Sequence, residues 1–112
     1  MTEENHSKLV KEISDFFIEQ GFNVLNEVSL PRGKGSIDIV AIKGEIQING
    51  EVKTSPSSVL MKKVKRQLNN YSDYQRGDCV LFSPLSKDQI FAQRLGESLK
   101  NPLYEFVQEY LH

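Results

Sequence analysis

Gly35-Ser36-Ile37-Asp38-Ile39-Val40-Ala41 and Gly50-Glu51-Val52-Lys53-Thr54 decide the reading of this chain, because the residues between them fit a β-hairpin. Gly44-Glu45 suits a two-residue turn with glycine at the first central position, where a type II′ turn wants a positive φ. That turn sets Lys43 opposite Ile46, Ile42 opposite Gln47, Val40 opposite Asn49 and Asp38 opposite Glu51. Directly opposed residues have Cβ atoms roughly 5 Å apart. Lys53, two residues beyond Glu51, falls on the same face. Two carboxylates and an amine are therefore expected to converge at one place on a sheet.

Opposed carboxylates repel, so placing them together calls for a cation between them, and hard divalent ions such as Mg²⁺ take oxygen ligands in this way. The plain alternative makes both acids solvated residues near strand ends. Against it, Asp38 sits inside Ile37-Asp38-Ile39-Val40-Ala41-Ile42, a β-branched run that reads as a strand buried on at least one face. A charge inside such a run is costly, and function is a common reason for keeping it.

Asp38, a hairpin and then Glu51-Val52-Lys53 together resemble the D…(D/E)-x-K signature of the PD-(D/E)XK nuclease superfamily. The likeness extends from the first helix to about Ser83 and includes the order of elements: helix, strand, acid-bearing hairpin, helix, strand. Ile37 stands where many members have proline. The resemblance implies an α/β protein of the restriction-endonuclease-like fold, with an αβββαβ core and a mixed central sheet flanked by helices. It also implies hydrolysis of phosphodiester bonds in nucleic acid, DNA in the first place, with Mg²⁺ or Mn²⁺. In that scheme Asp38, Glu51 and the Val52 carbonyl hold the metal, and Lys53 orients or helps deprotonate a water. Members of the family also add an acid from the first helix, for which Glu12 is the candidate and Glu19 the alternative. Such small members resemble structure-directed nucleases or dimers, archaeal Holliday-junction resolvases being the nearest architectural comparison.

The first helix is expected over about Asn5 to Gln20, stopping at Gly21, which suits a left-handed cap. Leu9, Val10, Ile13, Phe16 and Phe17 form its apolar stripe, with Glu12 at the stripe's edge. His6 falls within the stripe and reads as a packed or partly exposed structural histidine rather than a ligand. Phe22 to Val28 reads as the first strand. Ser57-Ser58 offers a cap for a second helix from about Val59 to Tyr71 or Ser72, with Leu60, Val64, Leu68 and Tyr71 on its apolar face.

Gln67 lies amid that face and needs hydrogen-bonding partners. It either bridges loops as a buried amide or serves a site. Gln67-Leu68-Asn69-Asn70-Tyr71 is similar to the Q-x-x-x-Y motif of the RecB-like branch, which implies that Gln67 and Tyr71 lie beside the metal and help orient substrate.

With 112 residues, 38% hydrophobic and 26% charged, the chain is expected to form a single domain over residues 1–112. A net charge of −1 argues against nucleic acid binding over the whole surface. Binding is expected at two local clusters, Arg32 with Lys34 before the Asp38 strand, and Lys62, Lys63, Lys65 and Arg66 on the second helix. The bland reading of both is a solvated loop and helix face. Arg32-Gly33-Lys34-Gly35-Ser36 has the wrong glycine spacing for a P-loop and precedes a strand, so no nucleotide cofactor is expected. No apolar run is long enough for a membrane span, no N-terminal signal pattern is seen and there is a single cysteine. A cytoplasmic or nuclear, reduced setting is the expectation. Cys79 opens the apolar strand Cys79-Val80-Leu81-Phe82 and reads as core packing. Past Ser83, Ser86-Lys87-Asp88-Gln89 looks like a capping box before a helix reaching about Lys100, and Leu103, Phe106, Val107 and Tyr110 suit a short terminal helix.

Overall fold

The computed structural model describes residues 2–54, 58–74, 76–86 and 89–111. Helix α1 (Thr2–Glu19) leads into strands β1 (Asn23–Ser29), β2 (Ser36–Lys43) and β3 (Ile46–Val52), followed by helix α2 (Ser58–Tyr74) and strand β4 (Asp78–Ser86). Strands β5 (Gln89–Arg94) and β6 (Asn101–Pro102) and helix α3 (Leu103–Leu111) complete the chain. The sheet order is β1-β2-β3-β4-β5-β6, and only β3 and β4 are parallel, joined through α2. This is the mixed sheet with an αβββαβ core that the motif order implied.

Local chemistry explains the element ends. Gly21 takes φ 92°, the Phe22 N–H donates to Phe17 O and the Gly21 N–H to Ile18 O, both at 3.0 Å. That is the paired bonding of a Schellman cap, completed by the Phe17 and Phe22 rings at 5.2 Å. Gly44, with φ 60°, turns the β2–β3 hairpin where the sequence placed it.

The two faces of the sheet carry separate cores. Ile13 and Phe17 of α1 pack with Ile39, Ile48, Val52, Val80, Phe82 and Ala92 of the sheet and with Phe106 and Val107 of α3. On the opposite face, Leu68 and Tyr71 of α2 cover Leu30, Ile37, Val40, Cys79 and Leu81. Cys79 is a core side chain, as expected. The terminal helix forms as read.

The helix expected after Ser86 does not form: Gln89–Arg94 is strand β5, paired with β4 from Ser86–Gln89 to Val80–Arg94. Lys87 and Asp88 lie outside the described residues. The local capping pattern loses to tertiary pairing, because β5 covers an edge that β4 would otherwise expose, and Ile90 and Ala92 alternate into the core.

Gly50 marks a packing constraint that its sequence context conceals. A β-carbon there would overlap the edge of the fully buried Phe82 ring at Cε2. Gly50→Ala is expected to cost about 1–3 kcal/mol through overpacking, read as a lower urea midpoint with an unchanged slope. An unshifted midpoint would mean that Phe82 yields freely.

Candidate active site

The β2–β3 register follows the expected pairing as far as Ile39 opposite Gly50, and there the strands part. Asp38 and Glu51, the next pair, do not continue the ladder. Instead the Val52 N–H donates to Asp38 Oδ2 at 2.9 Å, so a carboxylate takes the place of a strand partner. The other neighbour is disturbed at the same level. Glu27, which the β1–β2 register puts across from Asp38, has φ 50°, and Asn26 Nδ2 donates to Asp38 O at 3.1 Å. Asn26 also donates to the buried Ser14 Oγ of α1. Ile37 and Ile39 share strand parity yet pack on opposite sides of the sheet, which shows that β2 bends at Asp38.

Glu51 is 4% exposed. The Tyr71 hydroxyl donates to its Oε2 at 2.7 Å and lies 2.6 Å from Ser36 O, sharing one proton between them. Burial pushes the Glu51 carboxyl up to about 8, and the hydrogen bond and charge of Asp38 add to the rise. The Tyr71 bond and the Lys53 charge pull it back by less. Burial and the neighbouring Glu51 in turn raise the Tyr71 phenol. Glu51 therefore keeps a proton against Asp38 at neutral pH. A divalent cation relieves that repulsion, and the carboxyl oxygens of Asp38 and Glu51 suit a hard ion. The residues present fit such an ion. Among the described residues no three His, Cys, Asp or Glu side chains make a ready ligand cluster, so further donors must include main chain and water.

Lys53 is half-buried, just past the end of β3, where its N–H donates to Phe82 O at 3.0 Å. From α1 the residue that reaches the site is His6. Its Nε2 lies 3.0 Å from Val52 O and 3.3 Å from Asp38 Oδ2. Glu12 and Glu19 are exposed, and Glu12 stands about 120° around the helix from His6. The expectation that Glu12 faces the site is therefore corrected. The apolar stripe tilts so that His6, Val10 and Ser14 line a cleft of about 380 Å³ with Asn26, Glu27 and Asp38. The spacing 6, 10, 14 was the available signal, but the sequence reading assigns His6 and Val10 to the packed stripe and does not single out Ser14.

Tyr71 stands where the helix spacing put it, whereas Gln67 is only half-buried, so it flanks the buried Leu68–Tyr71 face instead of sitting at its centre. The side chains of Leu60 and Val64 and the cap at Ser57-Ser58 lie outside the described residues. Arg32 and Lys34 are exposed on the turn between β1 and β2. That loop ends at Ser36, beside Tyr71. Lys62, Lys65 and Arg66 are exposed along α2; the Lys63 side chain lies outside the described residues.

Against known proteins, neither a family model nor a curated sequence matches the chain. Its structure is similar to that of Hjc, a Holliday junction resolvase from the archaeal hyperthermophile Archaeoglobus fulgidus. The TM-score is 0.56 at 14% identity, covering 91% of this chain and 88% of that one. This chain has the restriction-endonuclease-like fold. In that fold's terms, Asp38 and Glu51 lie where the acid-bearing hairpin opens, and α1 and α2 close over the opening from opposite faces. Among the described residues no helix is long and apolar enough to cross a membrane.

Proposed function

We propose that this protein is a divalent-metal-dependent nuclease that hydrolyses phosphodiester bonds in DNA. The observation that carries the reading is the buried Glu51 carboxyl held against Asp38 where β2 and β3 part, with Lys53 following on the same segment. The structural likeness to a Holliday junction resolvase supports it.

Asp38, Glu51 and the Val52 carbonyl would hold Mg²⁺ or Mn²⁺. When bound, the ion supplies a bound water of lowered pKa and neutralises charge on the scissile phosphate. Tyr71 fixes the Glu51 carboxyl by its hydrogen bond, and the Val52 N–H fixes Asp38. Lys53 orients the attacking water and stabilises developing negative charge as a compact point charge. Gln67, one turn before Tyr71, contacts the substrate from the flank of α2. We place this activity in one unit over residues 1–112. If the substrate is a two-fold symmetric branch, a homodimer is the expected active form.

The test is cleavage of linear and four-way branched DNA by the purified chain in Mg²⁺ or Mn²⁺, against the same reaction in EDTA. Metal-dependent cleavage of either substrate supports the proposal, and metal-independent or absent cleavage sinks it. DNA contacts are assigned to Arg32 and Lys34 and to Lys62, Lys63, Lys65 and Arg66. Replacing the α2 residues by Gln is expected to weaken binding to all sequences alike. Each lost phosphate contact should lower the logarithmic salt slope by roughly 0.7 to 0.9. A salt titration with an unchanged slope would return α2 to solvent.

A further inference from the structure

We infer that the groove between α2 and the turn after β5 takes an unpaired adenine of the substrate DNA, read by the side-chain amide of Gln93. The inference rests on the proposed action on DNA. Among the described residues, Gln93 Oε1 is the one buried side-chain oxygen or nitrogen without a hydrogen-bond partner. Turning the amide around would not mend this, because Gln93 Nε2 donates to Glu97 O at 2.8 Å and a carbonyl only accepts. An unmet buried acceptor is rare in a folded chain and destabilises it until a donor arrives.

Gln93 lines a groove of about 270 Å³ together with Lys65 and Leu68 of α2, Leu81 of β4 and residues 95–98. That volume falls short of the roughly 300–1,000 Å³ of a site for a whole drug-sized ligand, so a single ring system suits it. Leu68, Leu81 and Leu95 give the groove an apolar lining for the ring faces, and exposed Lys65 stands beside it for a phosphate. The amide keeps one acceptor, Oε1, and a second hydrogen on Nε2. That pair matches the N6 amine and N7 of adenine. The position fits the proposed reaction as well. Gln93 pairs with Leu81, and Leu81 with Glu51, so the three form one row on the α2 face, and Gln93 lies two strand spacings, about 10 Å, from Glu51. A base enters such a groove only out of the stack, at least cost where it is already unpaired. Oε1 is closed off from water in the free chain, so the exposed residues 96–98 ease outward as the base enters.

The test measures binding of the full chain in EDTA, by fluorescence anisotropy, to a duplex with one bulged adenine, to the same duplex with bulged purine, which lacks the N6 amine, and to the duplex without a bulge. The bulged adenine is expected to bind tightest, and loss of its amine to weaken binding roughly 2- to 10-fold, the size of one net hydrogen bond. In Gln93→Leu the adenine and purine bulges should bind alike. If circular dichroism shows that this variant does not fold, the Gln93 side-chain amide resonance of ¹⁵N-labelled protein decides: it shifts with the adenine bulge and not with the unbulged duplex. No difference between adenine and purine in the unsubstituted chain, the same difference in Gln93→Leu, or an unmoved amide resonance overturns the inference and leaves the nuclease reading standing. Absence of binding to all three duplexes, together with absent metal-dependent cleavage, overturns that reading and the inference with it.

Discussion

Asp38→Asn and Glu51→Gln are each expected to abolish metal-dependent cleavage while the metal-free protein stays folded and melts at the same temperature or higher. Each change removes one of two carboxyls that crowd each other, and each keeps a group of the same shape. Asparagine still offers Oδ1 to the Val52 N–H, and glutamine still offers an oxygen to Tyr71. The pH dependence gives an independent reading. Glu51 titrates at about 8 when folded, against an ordinary value of 4.5, so between those values the native state holds a proton that the unfolded chain has released. Stability of the metal-free protein therefore falls as pH rises from about 4.5 to about 8, by up to about 1.4 kcal/mol per unit. Glu51→Gln should flatten that decline, and Mn²⁺ should oppose it in the unsubstituted chain. Melting curves at pH 5, 6.5 and 8 decide the matter. An active double variant, or a melting temperature that climbs with pH without metal, would be incompatible with this account.

Lys53→Met is expected to leave metal affinity nearly intact and to lower turnover by a factor on the order of 10² or more, the scale of one lost electrostatic contact in a transition state. Methionine keeps the unbranched stem, so the half-buried packing at the end of β3 survives and only the charge goes. The Lys53 charge lowers the Glu51 pKa less than burial and Asp38 raise it, so its loss disturbs the carboxyl pair only slightly. Single-turnover cleavage beside a Mn²⁺ titration separates the two roles. A collapse of metal affinity with residual turnover unchanged would make Lys53 structural.

The hairpin was legible in the amino-acid sequence alone. Gly44 set the turn, side-chain alternation set the register, and the two together put Asp38 and Glu51 on adjoining strands with Lys53 just beyond the second, because turn geometry and a period of two are local properties. The C-terminal stop of α1 and the order of elements through α2 were legible in the same way, since helical spacing and a Schellman glycine act within one turn, whereas α1 begins at Thr2, ahead of the expected Asn5. Three things were decided only in the tertiary structure. β5 formed against its own helical signals because an open strand edge and an unfilled core lay beside it. β2 and β3 parted one pair before Asp38 and Glu51, because the Asp38 carboxylate captured the Val52 N–H and β1 was distorted at Glu27. His6, not Glu12, reached the site, because the rotation of α1 about its axis follows from how Ile13 and Phe17 seat against the sheet. A helical stripe 100° wide fixes which side is buried but not which of its edges faces the opening, and that last rotation is set by packing across the whole core.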